Sequence, residues 1–400
     1  MTSSAVDLMA STLGVEEEFL LVDAAGGHLV PRAAEVLDAV RRTPGRTHGV
    51  EFKHELLSSQ VEAASGVCRG LDALAAQTRF GRERLAAAAE RAGALLISSG
   101  TPPLPGERSP VTSGARFREI LDLYGGIVAD YQVCGCHVHV GVPDRETAVA
   151  VVNHLRPWLP TLLALSANSP FHQGRDTGYA SWRMVEQSRF PGSGVPPYFA
   201  SAAAYEDELA RLVDCGSLVD ARMSFWLARP SLRFPTVEMR AADAAATVEE
   251  ALLQAALSRA LVRTALAALS AGREAPPVRE QVAAAAVWSA ARYGLRGPAV
   301  HPWYERQVPA LDLVEALVEQ VRPALEETGD LSFVRGQLAE LAVCGTGAER
   351  QRAAAAGGIG AALRSLAVQT DSSVSHSPPR RRETASAAPS TDAPDRGELP

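Results

Sequence analysis

The sharpest chemical signal in this chain is Gly14-Val15-Glu16-Glu17-Glu18-Phe19. On a strand, successive side chains point to opposite faces. Glu16 and Glu18 then share one face, and Val15, Glu17 and Phe19 share the other. Adjacent carboxylates repel, and strands are depleted in Glu. A hard divalent cation such as Mg2+, which prefers carboxylate oxygen, would compensate them. The alternative is an exposed strand face with solvated charges.

Other segments carry related chemistry. Cys134-Gly135-Cys136-His137-Val138-His139-Val140-Gly141 places both cysteines with the valines as small core residues, and both histidines on the other face. The glycines flanking that face leave room for a ligand or another backbone. Two histidines at i and i+2 can bind one metal, but no third zinc ligand stands nearby. In Pro235-Thr236-Val237-Glu238-Met239-Arg240, Glu238 and Arg240 share a face, as a metal ligand beside a phosphate clamp or as a salt bridge. Glu55 and Glu62 are seven apart, so a straight strand would split them and a bulge or turn must unite them. The long stretch from Leu165 to Arg183 offers Arg175, Arg183, hydroxyls and aromatic rings. These suit a carboxylate or phosphate, or a surface loop capping a helix.

The elements that must position these groups follow from pattern. The first 65 residues read as strands and turns, with a β-rich run over Thr12 to Asp23, a turn at Ala24 to His28, and a second extended run from Val50 to Ala64. Leu71 to Ala92 reads as a helix closed by Gly93, and Leu95 to Ser99 as a short buried strand. Cys134 to Val142 alternates as a strand. Arg145 to Leu165 reads as helix with a break near Pro157 and Pro160. Residues 166 to 197 form a long loop, and Thr236 to Arg240 a short strand. Ala-rich helices then cover 247–269, 278–293, 311–327, 331–342 and about 348–366. The order predicts an α+β fold, with helices over one face of a largely antiparallel sheet.

Composition narrows the function classes. The 400 residues are 46% hydrophobic and 21% charged, with net charge −7, as in a globular chain that can bury a large core. An acidic balance argues against a nucleic-acid partner. Lys53 is the only lysine, and it sits in Phe-Lys-His, so no P-loop is present. Met1 to Asp7 shows no basic region followed by an apolar core, and no run of about 18 uncharged apolar residues suggests a membrane span. Five cysteines without such a signal fit reduced thiols in a cytoplasm. From about Gln369 the chain turns rich in Ser, Pro, Ala, Thr and Arg. We expect a folded domain over 1–368 and a disordered tail over 369–400. A sheet face with several Glu, two His and a few Arg, and no P-loop, fits an ATP site that works through Mg2+.

The segments around Glu16, Glu55 to Glu62, His137, Leu165 to Pro170, Gly174 to Ser181 and Glu238 occur in an order that resembles the bacterial glutamate–cysteine ligase type 2 family, the carboxylate-amine ligases. The resemblance covers about residues 12 to 345. It implies a glutamine synthetase-like fold, a curved antiparallel sheet backed by helices and cupping ATP, metal ions and an amino acid. It implies that ATP phosphorylates the side-chain carboxylate of glutamate, and that the amine of cysteine attacks the acyl phosphate. Carried over, Glu16, Glu18, Glu62, Glu238 and His137 match metal-holding positions, with Glu62 preferred over Glu55. His139, Arg229 and Arg240 match nucleotide contacts, Arg240 and His137 catalytic positions, and Arg175 and Arg183 contacts to the glutamate carboxylate. The partners implied are a glutamate-like acid and cysteine or another amine, and the Ala-rich helices could pack against a second copy as a homodimer.

The chain departs from the family's pattern in one place: Phe225-Trp226-Leu227-Ala228 lacks an acid after the Trp. That leaves open a catalytically lapsed protein that binds ATP or an amino acid. A further alternative is a zinc hydrolase built on His137 and His139.

Overall fold

A computed structural model describes residues 10–106 and 109–371. Its frame is a seven-stranded sheet in which every strand pair is antiparallel. In chain order the strands are β1 (Leu13–Asp23), β2 (Glu51–His54), β3 (Gln60–Ala64), β4 (Ala94–Ile97), β5 (Gly135–Gly141), β6 (Ala228–Pro230) and β7 (Thr236–Asp243). They lie in the order β6-β7-β5-β1-β3-β2, and β4 pairs with the end of β1. Leu20 faces Gln60 on one edge of β1 and Ile97 on the other, so β4 extends the β5 side. A break in register between Met239 and Ala242 bends β7.

The register decides which side chains meet. Glu16 stands opposite His137 and Ala64, Glu18 opposite Glu62, and Gly14 opposite His139. His139 in turn faces Glu238, Glu238 faces Arg229, and Glu62 faces Lys53. Residues paired across strands point to the same face. One face therefore carries the acids, both histidines and the basic residues.

The opposite face is the core. The burial of β1 alternates from Leu13 to Phe19, with Val15, Glu17 and Phe19 inside. Val15, Cys136, Val138, Val237 and Met239 pack with the central helix of Val248–Ser270 and its neighbours. Phe19, Leu21, Val61 and Ala63 pack against α1 (Ala33–Arg42) and α2 (Leu71–Arg91). The other helices here are α3 (Arg145–Leu155), α4 (Leu159–Ser166), α5 (Val248–Ser270), α6 (Glu280–Tyr293), α7 (Ala310–Thr328), α8 (Leu331–Cys344), α9 (Gly347–Ala355) and α10 (Ile359–Thr370). Among the described residues α5 alone has the length and apolar composition to cross a membrane, and 72% of its most apolar stretch is buried inside the protein. Glu17 is neutralised within this core. Fully buried Arg82 of α2 donates from Nη2 to Glu17 Oε1 at 2.6 Å and from Nε to Oε2 at 3.2 Å.

Most elements stand where the sequence pattern puts them, and the exceptions have physical causes. Residues 33–42 are a helix, not part of a strand-and-turn region. Ala33, Val36, Leu37 and Val40 are its buried face, at spacings of three and four. The extended run from Val50 to Ala64 is a hairpin, β2 and β3, joined by a turn containing Glu55. The loop of 166–197 holds the pairing of Phe171–His172 with Arg175–Asp176 and a short helix, Trp182–Gln187, capped by Ser181. Two further helices, Ala115–Tyr124 and Ala202–Asp214, and the hairpin of Pro298–His301 with Arg306–Pro309 lie outside the elements read from sequence. The last helical stretch divides into α9 and α10 at Gly357-Gly358. Helix α10 runs two residues past 368, and the rest of the expected tail, 372–400, lies outside the described residues. All five cysteines are free thiols.

Candidate active site

Glu16 is the hub of the polar face. Its Oε1 lies 3.7 Å from His139 Nε2 and its Oε2 3.7 Å from His137 Nδ1. Burial opposes ionisation of Glu16, but the adjacent His137 and His139 rings outweigh it and hold the carboxyl far below its usual range. For His139 the balance is the reverse: burial disfavours the imidazolium, and Glu16 and Glu238 more than offset that, so its pKa is raised. His139 Nδ1 is 2.9 Å from Thr236 Oγ1, which fixes the ring and leaves Nε2 toward Glu16. Glu18 accepts a hydrogen bond from the Gly135 N–H at 2.6 Å, and its other oxygen is 3.8 Å from His137 Nδ1.

On the β7 side, Glu238 is buried between two guanidinium groups. Arg229 donates to it from Nε at 2.7 Å and from Nη2 at 3.3 Å, and Arg240 bonds it through Nη1. Burial penalises the Glu238 charge, yet Arg229 and Arg240 keep its pKa well below normal. Arg229 is further tied to the carbonyls of Arg222 and Ser224 at 2.9 and 2.8 Å. Arg240 is freer. Its Nη1 is 3.4 Å from His137 Nδ1, and its buried Nε has no hydrogen-bond partner among the described residues.

The two substrate arginines expected from sequence fare differently. Arg183 is buried under the site, donating to the carbonyl of Arg240 at 3.2 Å, with Nη1 3.8 Å from Asp243. Asp243 is fully buried and accepts from Ser169 and Ser181 hydroxyls and the Asn168 N–H. Arg183 thus braces the β7 bulge that aims Arg240. Arg175 is exposed on the Phe171–Asp176 hairpin, and the structure does not bring it into the acidic row. The space beside Gly135 is filled by the chain itself. A Cβ there would stand 2.6 Å from Arg183 Nη2 and 2.9 Å from His137 Nε2.

Two residues hold a larger place in the site than the sequence reading gives them. Glu55, set in the turn after β2, comes against Glu62. Burial first, then the charges of Glu18 and Glu62, push Glu55 well above its normal range. Burial and the Glu16 charge likewise raise Glu62. Lys53 is the other. Its ammonium lies 2.8 Å from Glu62 Oε1 and 3.8 Å from Glu16 Oε1. The signal in the sequence is that it is the chain's only lysine, two residues before Glu55.

The donor set fits a hard divalent ion. Ligand atoms of Glu16, His139 and Glu238 all lie within 4.8 Å of one another. His137 Nε2 and His139 Nε2 are buried without a hydrogen-bond partner among the described residues. The two carboxylates supply the oxygen donors that magnesium prefers, and the imidazole is a ligand that transition metals such as zinc favour. Beside this group opens a cleft of about 370 Å³, lined in part by Gly14, Glu16, Lys53, His139 and Phe234. A second cleft of about 420 Å³, near Tyr179 and Trp288, includes none of the acidic row. The positions after Trp226, Leu227 and Ala228, are fully buried among apolar neighbours.

The fold is of the glutamine synthetase-like class, an antiparallel sheet backed by helices. The glutamate–cysteine ligase of Francisella tularensis, solved in complex with AMP, superposes with a TM-score of 0.67 over 90% of this chain and 89% of that one, at 13% identity. The complex of the prokaryotic ubiquitin-like protein Pup with its ligase PafA gives 0.51 over 87% and 68%, also at 13% identity. The model of glutamate–cysteine ligase family 2 matches residues 12–366. A protein of Saccharopolyspora erythraea, provisionally named glutamate–cysteine ligase 2-2, is 62% identical over 87% of this chain and 89% of its own length. A Nocardia farcinica protein, provisionally named glutamate–cysteine ligase 2-1, is 47% identical over 86% and 88%. This chain belongs to glutamate–cysteine ligase family 2.

Proposed function

We propose that the protein joins the side-chain carboxylate of glutamate to the amine of cysteine, using ATP with Mg2+. The convergence of Glu16, His139 and Glu238 on one sheet face carries this reading. In the reaction the substrate carboxylate takes the γ-phosphoryl group of ATP and ADP leaves. The amine then attacks the acyl carbon, phosphate departs, and an amide remains. Magnesium, held by Glu16, Glu238 and His139 with Glu62 nearby, would draw charge from the phosphate oxygens. Arg240, with its free Nε, meets the negative charge that develops on the oxygens. Arg183 holds the Arg240 backbone in place. Glu238, ionised by its two arginines, keeps a full negative charge at physiological pH. Neither Cys134 nor Cys136 supplies a nucleophile, because both thiols are buried and burial pushes their pKa values far up.

The test is phosphate release from ATP and Mg2+ with glutamate and a panel of amines including cysteine. The expected result is release that requires both the acid and an amine, with γ-glutamylcysteine formed. Release independent of either, or none with any pair, refutes the reading.

A further inference from the structure

Charge is unevenly spread across the polar face. Glu238 has two arginines to itself. Glu16, Glu18, Glu55 and Glu62 crowd the β1–β3 side, and Lys53 is the lysine or arginine whose ion pairs reach Glu16 and Glu62 there. Register pins Lys53 opposite Glu62, so its stem cannot miss the acids. Yet the ammonium is held only loosely. Its ion pairs are all with carboxylates, Glu62, Glu16 and, at 4.0 Å, Glu51, whereas Arg229 is anchored by backbone carbonyls. Strand β2 is the sheet's edge, and Lys53 lines the 370 Å³ cleft, which gives the side chain somewhere to go. A lysine is a point charge on four flexible carbons, suited to leave one position for another.

We propose that Lys53 is a tethered cation: it pairs with Glu62 and Glu16 in the ligand-free protein and must withdraw from Glu16 when a divalent ion binds Glu16, His139 and Glu238. This rests on the metal reading above and adds to it a built-in competitor. Without such a charge, no lysine or arginine among the described residues would pair with Glu16 or Glu62 until metal arrives. With it, the empty site is stable, and free divalent ion is held weakly until nucleotide phosphates add their own charge.

The experiment is Mn2+ titration of the full-length protein, followed by electron paramagnetic resonance, without nucleotide. Lys53→Met should bind Mn2+ about tenfold tighter, equivalent to about 1.4 kcal/mol. Lys53→Arg, which keeps the charge, should match the wild type. Unchanged or weaker binding by Lys53→Met overturns the proposal, as does an equal gain in Lys53→Arg. Glu16→Gln separates the two layers: if it retains Mn2+ binding, the metal reading itself fails. Should Lys53→Met not fold, acetylation of the wild-type amine gives the same answer, because a peptide carrying Lys53 is the only lysine peptide. Mn2+ should speed its modification, and a slowed or unchanged rate overturns the proposal.

Discussion

Glu16 and Glu17 are bonded neighbours with opposite duties, and one pair of substitutions tests that division. Glu17→Gln keeps the shape of the side chain but removes the counter-charge of Arg82, which is fully buried and bonded to both Glu17 oxygens. The carbonyls of Ala245 and Ala246, 2.8 and 3.1 Å from Arg82, satisfy donors but cannot neutralise the guanidinium. Breaking a buried pair on one side costs about 3–5 kcal/mol. At about 2 °C per kcal/mol for a large domain, the melting midpoint falls by roughly 6–10 °C. Glu16→Gln removes a partly exposed charge whose partners stand 3.7 to 3.8 Å away. Its effect on stability stays within about 1 kcal/mol. Its effect on turnover is on the order of 10³-fold, the scale of losing an electrostatic partner of the transition state. Circular dichroism melts and phosphate release on both variants provide the assay. A Glu17→Gln protein as stable as the wild type, or a Glu16→Gln protein that unfolds while any folded fraction turns over normally, would refute the assignment of faces.

Gly135→Ala drives a methyl group against Arg183 and His137. We expect turnover to fall about 10²-fold from the displaced side chains, with a loss of about 1–3 kcal/mol from overpacking, read by steady-state kinetics and thermal melts. His154 of α3 supplies a pH effect far from the acidic row. Burial lowers its pKa below the ordinary value of 6.5, so the unfolded chain takes up its proton first. Its contribution to stability is complete above pH 6.5 and is lost as pH falls through the folded value. His154→Gln should therefore show a smaller drop in melting midpoint between pH 7.5 and 5.5 than the wild type does, and an equal drop would count against the assignment.

Local pattern makes the two faces legible in the sequence, because strand alternation alone divides Glu16 and Glu18 from Glu17, and His137 and His139 from Cys134 and Cys136. What alternation lacks is register. That Glu18 meets Glu62, or that His139 lies between Gly14 and Glu238, depends on pairing across dozens to hundreds of residues. Lys53 enters the site through that pairing and Glu55 through a turn, and neither is written in its immediate neighbours. Arg175 shows the opposite case: a loop arginine with suitable chemistry that the hairpin leaves in solvent. Helix α1 is readable, since its apolar spacing is helical, but the strand-like segments around it mask the change of period.

Strand β1 is made first and is fully paired only when β5 follows more than a hundred residues later. Its partners arrive with residues 60–64, 94–97 and 135–141, and the sheet is finished only with residue 243. During synthesis the strand must wait with both edges bare, the condition under which nascent chains seize one another. Three consecutive glutamates make such mistaken unions self-repelling. The acids proposed to hold the metal would thus also guard the chain's birth, and a fragment ending before β7 would carry that protection without Glu238.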